Sequence, residues 1–334
     1  MDRGISFLIA FAIALPLTAV ARVVGLRLGF VDDPTGDELK IHRRQVPVLG
    51  GLAVVVAALG ALALTGHEPR FVVIAAAGIA LAAGLVDDVR RLPPAVQAAL
   101  QIAAGLVLVV GGIDLGGLGA FGPPTVLALV VAGANSVNFI DGQDGLAGGL
   151  VAIACLGLAG VAAGGAPLAL AVAGGLAAFL FWNRSPARIF LGNGGAHALG
   201  TILAVLAIGA IDADGWRGFF AATLCLGIFA FELAFTVVRR LGSRSLSVGD
   251  RLHSYDLFAA ALGSRGRATL VFWILGAVAA GLGVAARYLP TSFGVGAAAA
   301  VSAVAAIGGY RLWSRHSGRR ARSARLERAR SYVG

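Results

Sequence analysis

The stretch from Gly145 to Trp182, GLAGGLVAIACLGLAGVAAGGAPLALAVAGGLAAFLFW, carries no charged side chain. A helix that crosses a bilayer takes roughly 17 to 25 residues, so this run is too long for one span and long enough for two. Gly164, Gly165 and Pro167 mark the point of division, because glycine and proline punctuate turns. Whether it is one span or two sets the orientation of everything that follows it, which makes it the decisive reading.

The rest of the chain is consistent with a membrane solvent. Of 334 residues, 58% are hydrophobic and only 13% are charged, against about 25% charged in a soluble domain, and the mean hydropathy is +0.87. Apolar runs at Gly4–Ala21, Val48–Gly66, Phe71–Val86, Ala95–Ile113, Pro124–Ile140, Gly145–Ala163, Leu168–Trp182, Ala196–Ile211, Gly218–Val238, Ala268–Ala286 and Tyr288–Tyr310 predict eleven spans. The first run lacks the small-residue cleavage pattern of a signal peptide and reads as a span. The fold class is therefore all-α, a polytopic membrane helix bundle. Cys155 and Cys225 both sit inside apolar runs, where a thiol behaves as a small hydrophobe, so no disulfide framework is expected.

Basic residues collect in short cytoplasmic loops. With the N-terminus outside and the C-terminus cytoplasmic, 23 of the 27 Lys and Arg fall inside, leaving Arg3, Arg70, Arg217 and Arg287 outside. An error in the span count ahead of Arg239 would scramble that asymmetry. Residues 1–310 then form a membrane-embedded domain with its active loops in the cytoplasm. Residues 311–334, with eight arginines and the single acid Glu327, form a basic cytoplasmic tail suited to anionic lipid headgroups. No nucleic-acid recognition fold accompanies it. The outer acids Glu68, Asp114, Asp212 and Asp214 have no basic partner at close spacing and read as solvated turn residues.

The unusual polar residues gather at the cytoplasmic ends. Asp87 and Asp88 end the third span, where the helix dipole already presents negative charge. Either Arg90 and Arg91 compensate them, or a divalent cation held by hard oxygen ligands does. In Asn135-Ser-Val-Asn138-Phe-Ile-Asp141-Gly-Gln-Asp144-Gly, amides and acids recur three residues apart, a spacing that shares a helix face. Buried polar groups at a membrane helix end default to a functional role, although Asn135 alone would also suit helix packing. Asn183 to His197 again ends one span and opens another with glycines, whose backbone N–H groups suit an anion. Lys40 and His42 in the first loop, and Arg251 and His253 in the fourth, supply donors for phosphate. Together these point to phosphoryl transfer at the membrane surface, where catalysis is largely positioning and charge neutralisation, with a lipid as one substrate.

Leu85-Val-Asp-Asp-Val-Arg, Asn135-x-x-Asn-x-x-Asp-Gly-x-Asp-Gly-Leu-Ala, Phe181-Trp-Asn-Arg-Ser-Pro-Ala-Arg-Ile-Phe-Leu-Gly and Asp250-Arg-x-His resemble the polyprenyl-phosphate N-acetylhexosamine-1-phosphate transferases, a likeness that extends from about Gly25 to Phe258. The resemblance implies a multi-pass inner-membrane enzyme, Mg²⁺-dependent with Mn²⁺ as an alternative. It would take a UDP-sugar and undecaprenyl or decaprenyl phosphate, release UMP and initiate cell-envelope glycan synthesis. A homodimer is compatible with it. Carried over, Asp87, Asp88, Asp141 and His253 are the catalytic residues. Lys40, His42, Asn135, Asn138, Asp144, Asn183 and Arg251 bind substrate, and Asp87, Asp88, Asp141 and Asn193 hold the metal.

Three departures matter. Asn193 stands where the family has an aspartate after Phe-Leu-Gly, Glu232 stands for a usual aspartate without its preceding proline, and the histidine cluster of the phospho-N-acetylmuramoyl-pentapeptide branch is reduced to His253 followed by Ser254-Tyr255. The last favours a simpler UDP-sugar over the peptidoglycan precursor. Asn193 keeps open a non-catalytic or transport-type membrane protein, although carriers place their polar residues near the midplane.

Overall fold

The structure is a computed structural model that describes residues 4–35, 44–162, 164–243 and 251–331. In chain order the helices are α1 (Gly4–Leu28), α2 (Gly50–Thr65), α3 (Phe71–Arg90), α4 (Pro94–Val110), α5 (Gly122–Ile140), α6 (Leu146–Val161), α7 (Ala166–Asn183), α8 (Gly192–Cys225), α9 (Gly227–Ser243), α10 (Ser254–Leu262), α11 (Arg265–Tyr288) and α12 (Thr291–Ser331). Each of the eleven apolar runs falls on helix. Among the described residues, seven helices are long and apolar enough to cross a membrane, and α2, α4 and α6 are shorter apolar helices. The chain is a polytopic helical membrane protein.

The uncharged run from Gly145 divides where glycine and proline mark it, α6 ending at Val161 and α7 starting at Ala166. The boundary expected between Ile211 and Gly218 also exists, within α8. Gly215 leaves helical geometry with φ 56° and ψ −129°, and a Cβ at Gly218 would meet the Ala210 carbonyl, so the chain doubles back there. The expected run Gly218–Val238 is itself interrupted at Leu226, where α8 ends. The helix α12 passes Arg311, the expected start of the tail, without a break.

The helix α8 is the hub. It packs against α3, α5, α6, α2 and α11, while α1, α2 and α7 form a neighbouring layer and α4 bridges α3 and α5. The apolar window of α8 is 83% buried, against 11% for that of α12, which separates the centre of the bundle from a helix that faces lipid. Among membrane helices small residues let backbones approach. A Cβ on Gly84 of α3 would stand 2.4 Å from the Asn193 carbonyl, and one on Gly51 of α2 only 2.0 Å from Gly195 Cα. Those two glycines allow the start of α8 to lie directly on α2 and α3.

One departure from an all-helical chain is small. Strands β1 (Val31–Asp32) and β2 (Val46–Pro47) pair antiparallel, Val31 opposite Pro47 and Asp32 opposite Val46. The ribbon extends through Phe190 N–H to the Pro47 carbonyl at 2.8 Å and Gly50 N–H to the Phe190 carbonyl at 3.0 Å. It ties the first loop to the segment that leads into α8, and so brings Asp32 to the polar end of the bundle.

Candidate active site

The site forms where the C-terminal ends of α3 and α5 meet the N-terminal end of α8. Asp88 Oδ1 accepts from Asn193 N–H at 3.0 Å, and Oδ2 from Gly194 N–H at 3.4 Å. The carboxylate thus satisfies amides that a helix start leaves without intrahelical partners, and its charge is favoured by the dipole of α8. Those two bonds offset part of the apparent penalty of two acids at the end of α3. It also corrects an expectation: these amides, read from the sequence as an anion site, are already occupied by Asp88.

Asp87 is buried. Its Oδ1 accepts from Leu92 N–H at 2.6 Å and Gln97 Nε2 at 2.9 Å, and its Oδ2 accepts from Asn193 Nδ2 at 2.8 Å. Asn193 Oδ1 in turn accepts from Asn138 Nδ2 at 2.7 Å. An ionised carboxylate only accepts, so Asp87 fixes the orientation of both amides. One chain of hydrogen bonds therefore joins α3, α8 and α5. Asn193 spends its oxygen on Asn138, so this residue, expected among the metal ligands, serves here as a bridge.

Asp141 caps α5. Its carboxylate makes no hydrogen bond among the described residues. Burial, and after it the charges of Asp88, Asp144 and Asp32, push its carboxyl well above the usual carboxylate range. Asp144 accepts from Ala187 N–H at 3.1 Å. Asn183 is buried and uses both ends of its amide on backbone, accepting from Gly145 N–H and donating to the Ile189 carbonyl, each at 2.9 Å. It was expected to bind substrate, but its geometry is that of a clasp between the loops before α6 and α8.

Asn135 lies one turn deeper and donates to Gln101 Oε1 at 2.7 Å and to the Val131 carbonyl at 2.8 Å. On the far side of the loop, His253 packs its ring 5.8 Å from Phe139 and stacks on Tyr255 at 5.4 Å. The Tyr255 hydroxyl lies where a Cβ on Gly142 would be, so Asp141, Asp88 and His253 share one region. Burial first, then Asp256 and Glu232, pushes the Tyr255 hydroxyl well above its ordinary range, which keeps it a neutral donor. Arg251 pairs with Asp256 at 3.2 Å. Lys40 and His42 lie outside the described residues.

Sequence reasoning missed several participants. Asp32 contributes charge to both Asp88 and Asp141, a role that its place in the first loop does not announce. Gln97 and Gln101, four apart on one face of α4, support Asp87 and Asn135. Two amides in an apolar run were the available signal. Asp214, expected to be a solvated turn residue, instead pairs with Arg287 at 3.0 Å.

The donor set suits a hard cation. Asp87, Asp88 and Asp141 are oxygen ligands of the kind Mg²⁺ takes, and the repulsion felt by Asp141 is the demand a cation would relieve. No group of three His, Cys, Asp or Glu side chains among the described residues is arranged closely enough to hold a metal as it stands.

Comparison with known proteins covers the residues of this site. Residues 70–211, which contain most of it, match the family described as glycosyl transferase family 4. The decaprenyl-phosphate N-acetylglucosaminephosphotransferase of Mycobacterium tuberculosis (strain ATCC 25618 / H37Rv) is 30% identical over 315 residues, 79% of this chain and 78% of its own. A Bacillus subtilis (strain 168) protein named "Probable undecaprenyl-phosphate N-acetylglucosaminyl 1-phosphate transferase" is 27% identical, with 81% of each chain covered. The phospho-N-acetylmuramoyl-pentapeptide-transferase of Mycobacterium sp. (strain KMS) is 29% identical, covering 84% of this chain and 95% of the relative. With likeness of that extent, and the motif acids and amides assembled at one end of the bundle, the chain belongs to the polyprenyl-phosphate N-acetylhexosamine-1-phosphate transferases of glycosyl transferase family 4.

Proposed function

We propose that this protein transfers an N-acetylhexosamine 1-phosphate from a UDP-sugar to polyprenyl phosphate at the cytoplasmic face of the inner membrane, releasing UMP and initiating cell-envelope glycan synthesis. The observation that carries the reading is the joining of Asp87, Asn193 and Asn138 into one hydrogen-bonded chain, with Asp88 and Asp141 beside it. The names of the relatives supply the acceptor class, undecaprenyl or decaprenyl phosphate.

A path for that acceptor supports the same reading. An apolar groove of about 590 Å³ lies between α4, α5 and α9, lined by Ile102, Val131, Phe139, Leu233 and Val237, with Asn135 as a polar side chain. Phe139 is two residues from Asp141, so a prenyl chain in the groove would bring its phosphate to the acids. Arg240 stands over the same ring at 5.3 Å, a cation suited to that phosphate.

In the reaction, an oxygen of the acceptor phosphate forms a bond to the β-phosphorus of the UDP-sugar. The bond from that phosphorus to the oxygen shared with the α-phosphorus breaks, and UMP leaves with the electron pair. A phosphate monoester has a second pKa near 6, so the acceptor is largely ionised at neutral pH and needs no strong base. Asp87, Asp88 and Asp141 are the residues that would hold Mg²⁺, which when bound supplies charge neutralisation for the diphosphate. The chain's own contribution is positioning: Asp88 is fixed on α8, Asp87 is fixed by Leu92 and Gln97, and Asn138 is oriented through Asn193.

Topology belongs to the same proposal. Eleven spans with the N-terminus outside put this end of the bundle on the arginine-rich cytoplasmic side, with the tail on anionic lipid. The test is UMP release by purified protein given polyprenyl phosphate, Mg²⁺ and a panel of UDP-sugars that includes the pentapeptide precursor. A UDP-N-acetylhexosamine is the expected donor. Failure of every donor with folded protein would favour a non-catalytic membrane protein.

A further inference from the structure

Glu232 lies on α9 with no exposed surface. Its Oε1 lies 2.8 Å from His253 Nδ1, which is also 3.3 Å from Thr236 Oγ1, and accepts from the Thr236 hydroxyl at 3.1 Å and from Ser254 N–H at 3.4 Å, while its Oε2 accepts from the Ser254 hydroxyl. A buried carboxylate costs several kcal/mol unless it is paired and hydrogen-bonded. Here the neighbouring donors converge on one group. Anchoring α10 to α9 would need only the two contacts from Ser254. The contact to the imidazole does something further, since an ionised carboxylate accepts only and so obliges Nδ1 to carry a proton.

We infer that Glu232 is a positioning residue that acts through His253: it fixes the Nδ1–H form of the ring and directs Nε2 to the substrate phosphate. This rests on the proposed reaction and assigns a role to a residue that the sequence marked only as a departure. Three features of the surroundings agree. The ring is held between Phe139 and Tyr255, so its plane is set as well as its tautomer. Phe139 also lines the apolar groove, so the ring that His253 packs against is shared with the groove. Finally, Nε2 makes no hydrogen bond among the described residues, and His253 keeps 8% of its surface exposed, so the polar atom left over is the one available to a ligand.

The chemistry follows from the geometry. With Nδ1–H committed to Glu232, Nε2 serves as a donor to phosphate oxygen when protonated, and as an acceptor otherwise. In both states the ring stays in place. Glutamine at position 232 would fill the same space, yet an amide can donate as well as accept, so it no longer dictates which ring nitrogen bears the proton.

The test pairs a spectroscopic readout with a kinetic one. The chain has only five histidines, so ¹⁵N-histidine labelling of the full-length protein, with assignment by loss of a signal in His253→Gln, reads the protonation of each His253 nitrogen directly. The expected result is a protonated Nδ1 in the wild type. In Glu232→Gln the single Nδ1–H form gives way to a tautomer mixture, and kcat for UMP release falls roughly 100-fold, the range of one positioned acid–base group, while KM for the UDP-sugar moves little. Glu232→Asp keeps an acceptor-only group and recovers part of the loss. A bare Nδ1 in the wild type overturns the inference, as does a Glu232→Gln protein that keeps full kcat or loses it without any change of tautomer. If the wild type releases no UMP, the proposed reaction fails, and the nitrogen spectra alone decide the role of Glu232. If Glu232→Gln does not fold, the wild-type spectrum and Glu232→Asp decide it.

Discussion

Replacing Asn193 with aspartate probes the site most sharply, because the amide stands between two groups of opposite need. Its Nδ2 donates to Asp87 Oδ2 at 2.8 Å and its Oδ1 accepts from Asn138 at 2.7 Å. Asn193→Asp keeps the contact with Asn138 and turns the contact with Asp87 into two facing carboxylates. Coulomb's law for unit charges at that separation gives about 6 kcal/mol at an effective dielectric of about 20 and about 1.5 kcal/mol in water. Loss of a hydrogen bond to a charged group adds about 1.5 kcal/mol or more. The cation-free variant should therefore lose between about 3 and 7.5 kcal/mol unless it takes up a proton. At roughly 2–4 °C per kcal/mol for a chain of this order, its melting temperature in detergent with EDTA drops by roughly 10 °C. Mg²⁺ relieves that repulsion, so titration restores the melting temperature of Asn193→Asp far more than it raises that of the wild type, as linkage requires of a ligand that binds the folded state. Calorimetry of both proteins across a Mg²⁺ series is the assay. Equal melting temperatures in EDTA and parallel Mg²⁺ responses would refute the picture of Asn193 as an uncharged bridge beside a cation site.

Four further outcomes follow from the same geometry. Asp88→Asn removes the charge seated on the start of α8 and should abolish UMP release, while circular dichroism shows the helices retained. Asn183→Ala leaves the Gly145 N–H and the Ile189 carbonyl without their buried partner, at about 1–3 kcal/mol each; a lowered melting temperature with UMP release preserved in the surviving folded fraction would mark it as a clasp. Because the Asp141 carboxyl is held above its ordinary range, cation binding must displace a proton from it. Mg²⁺ affinity, measured by titration calorimetry, should then climb as pH rises through that raised range and fall on acidification, and Asp141→Asn should flatten the dependence. Ala132 also lines the groove, from its α5 side; Ala132→Trp would fill the space between α5 and α9 and should raise KM for polyprenyl phosphate several-fold, with little change in KM for the UDP-sugar.

Much of this was legible because a bilayer simplifies the code. Uncharged runs had to be helices, and the paired glycines with Pro167 divided the longest one where α6 and α7 part. The restriction of arginine to one side predicted a common end for Asp87, Asn138, Asp141 and Asn193. Pairings were not legible, since they depend on how helices lean on each other. That Asp88 would occupy the start of α8 follows from the absence of a side chain at Gly84 and Gly51, and sequence spacing carries no trace of it. Gln97 and Gln101 acquire meaning only when α4 is laid against α3 and α5. Glu232 and His253 are far apart in the chain, and their bond appears once α10 folds back onto α9. Asn183 is legible as a motif residue, but its bonds to the Gly145 N–H and the Ile189 carbonyl are not.

The central claim is that this site moves a sugar together with one phosphate onto a lipid phosphate. The direct measurement is product analysis with a UDP-N-acetylhexosamine labelled with ³²P in the β-position, following nucleotide and lipid separately. Transfer of the sugar 1-phosphate leaves unlabelled UMP in the aqueous phase and the label in a lipid diphosphate sugar, in equal amounts. Labelled UDP in the aqueous phase, with sugar alone on the lipid, would contradict it.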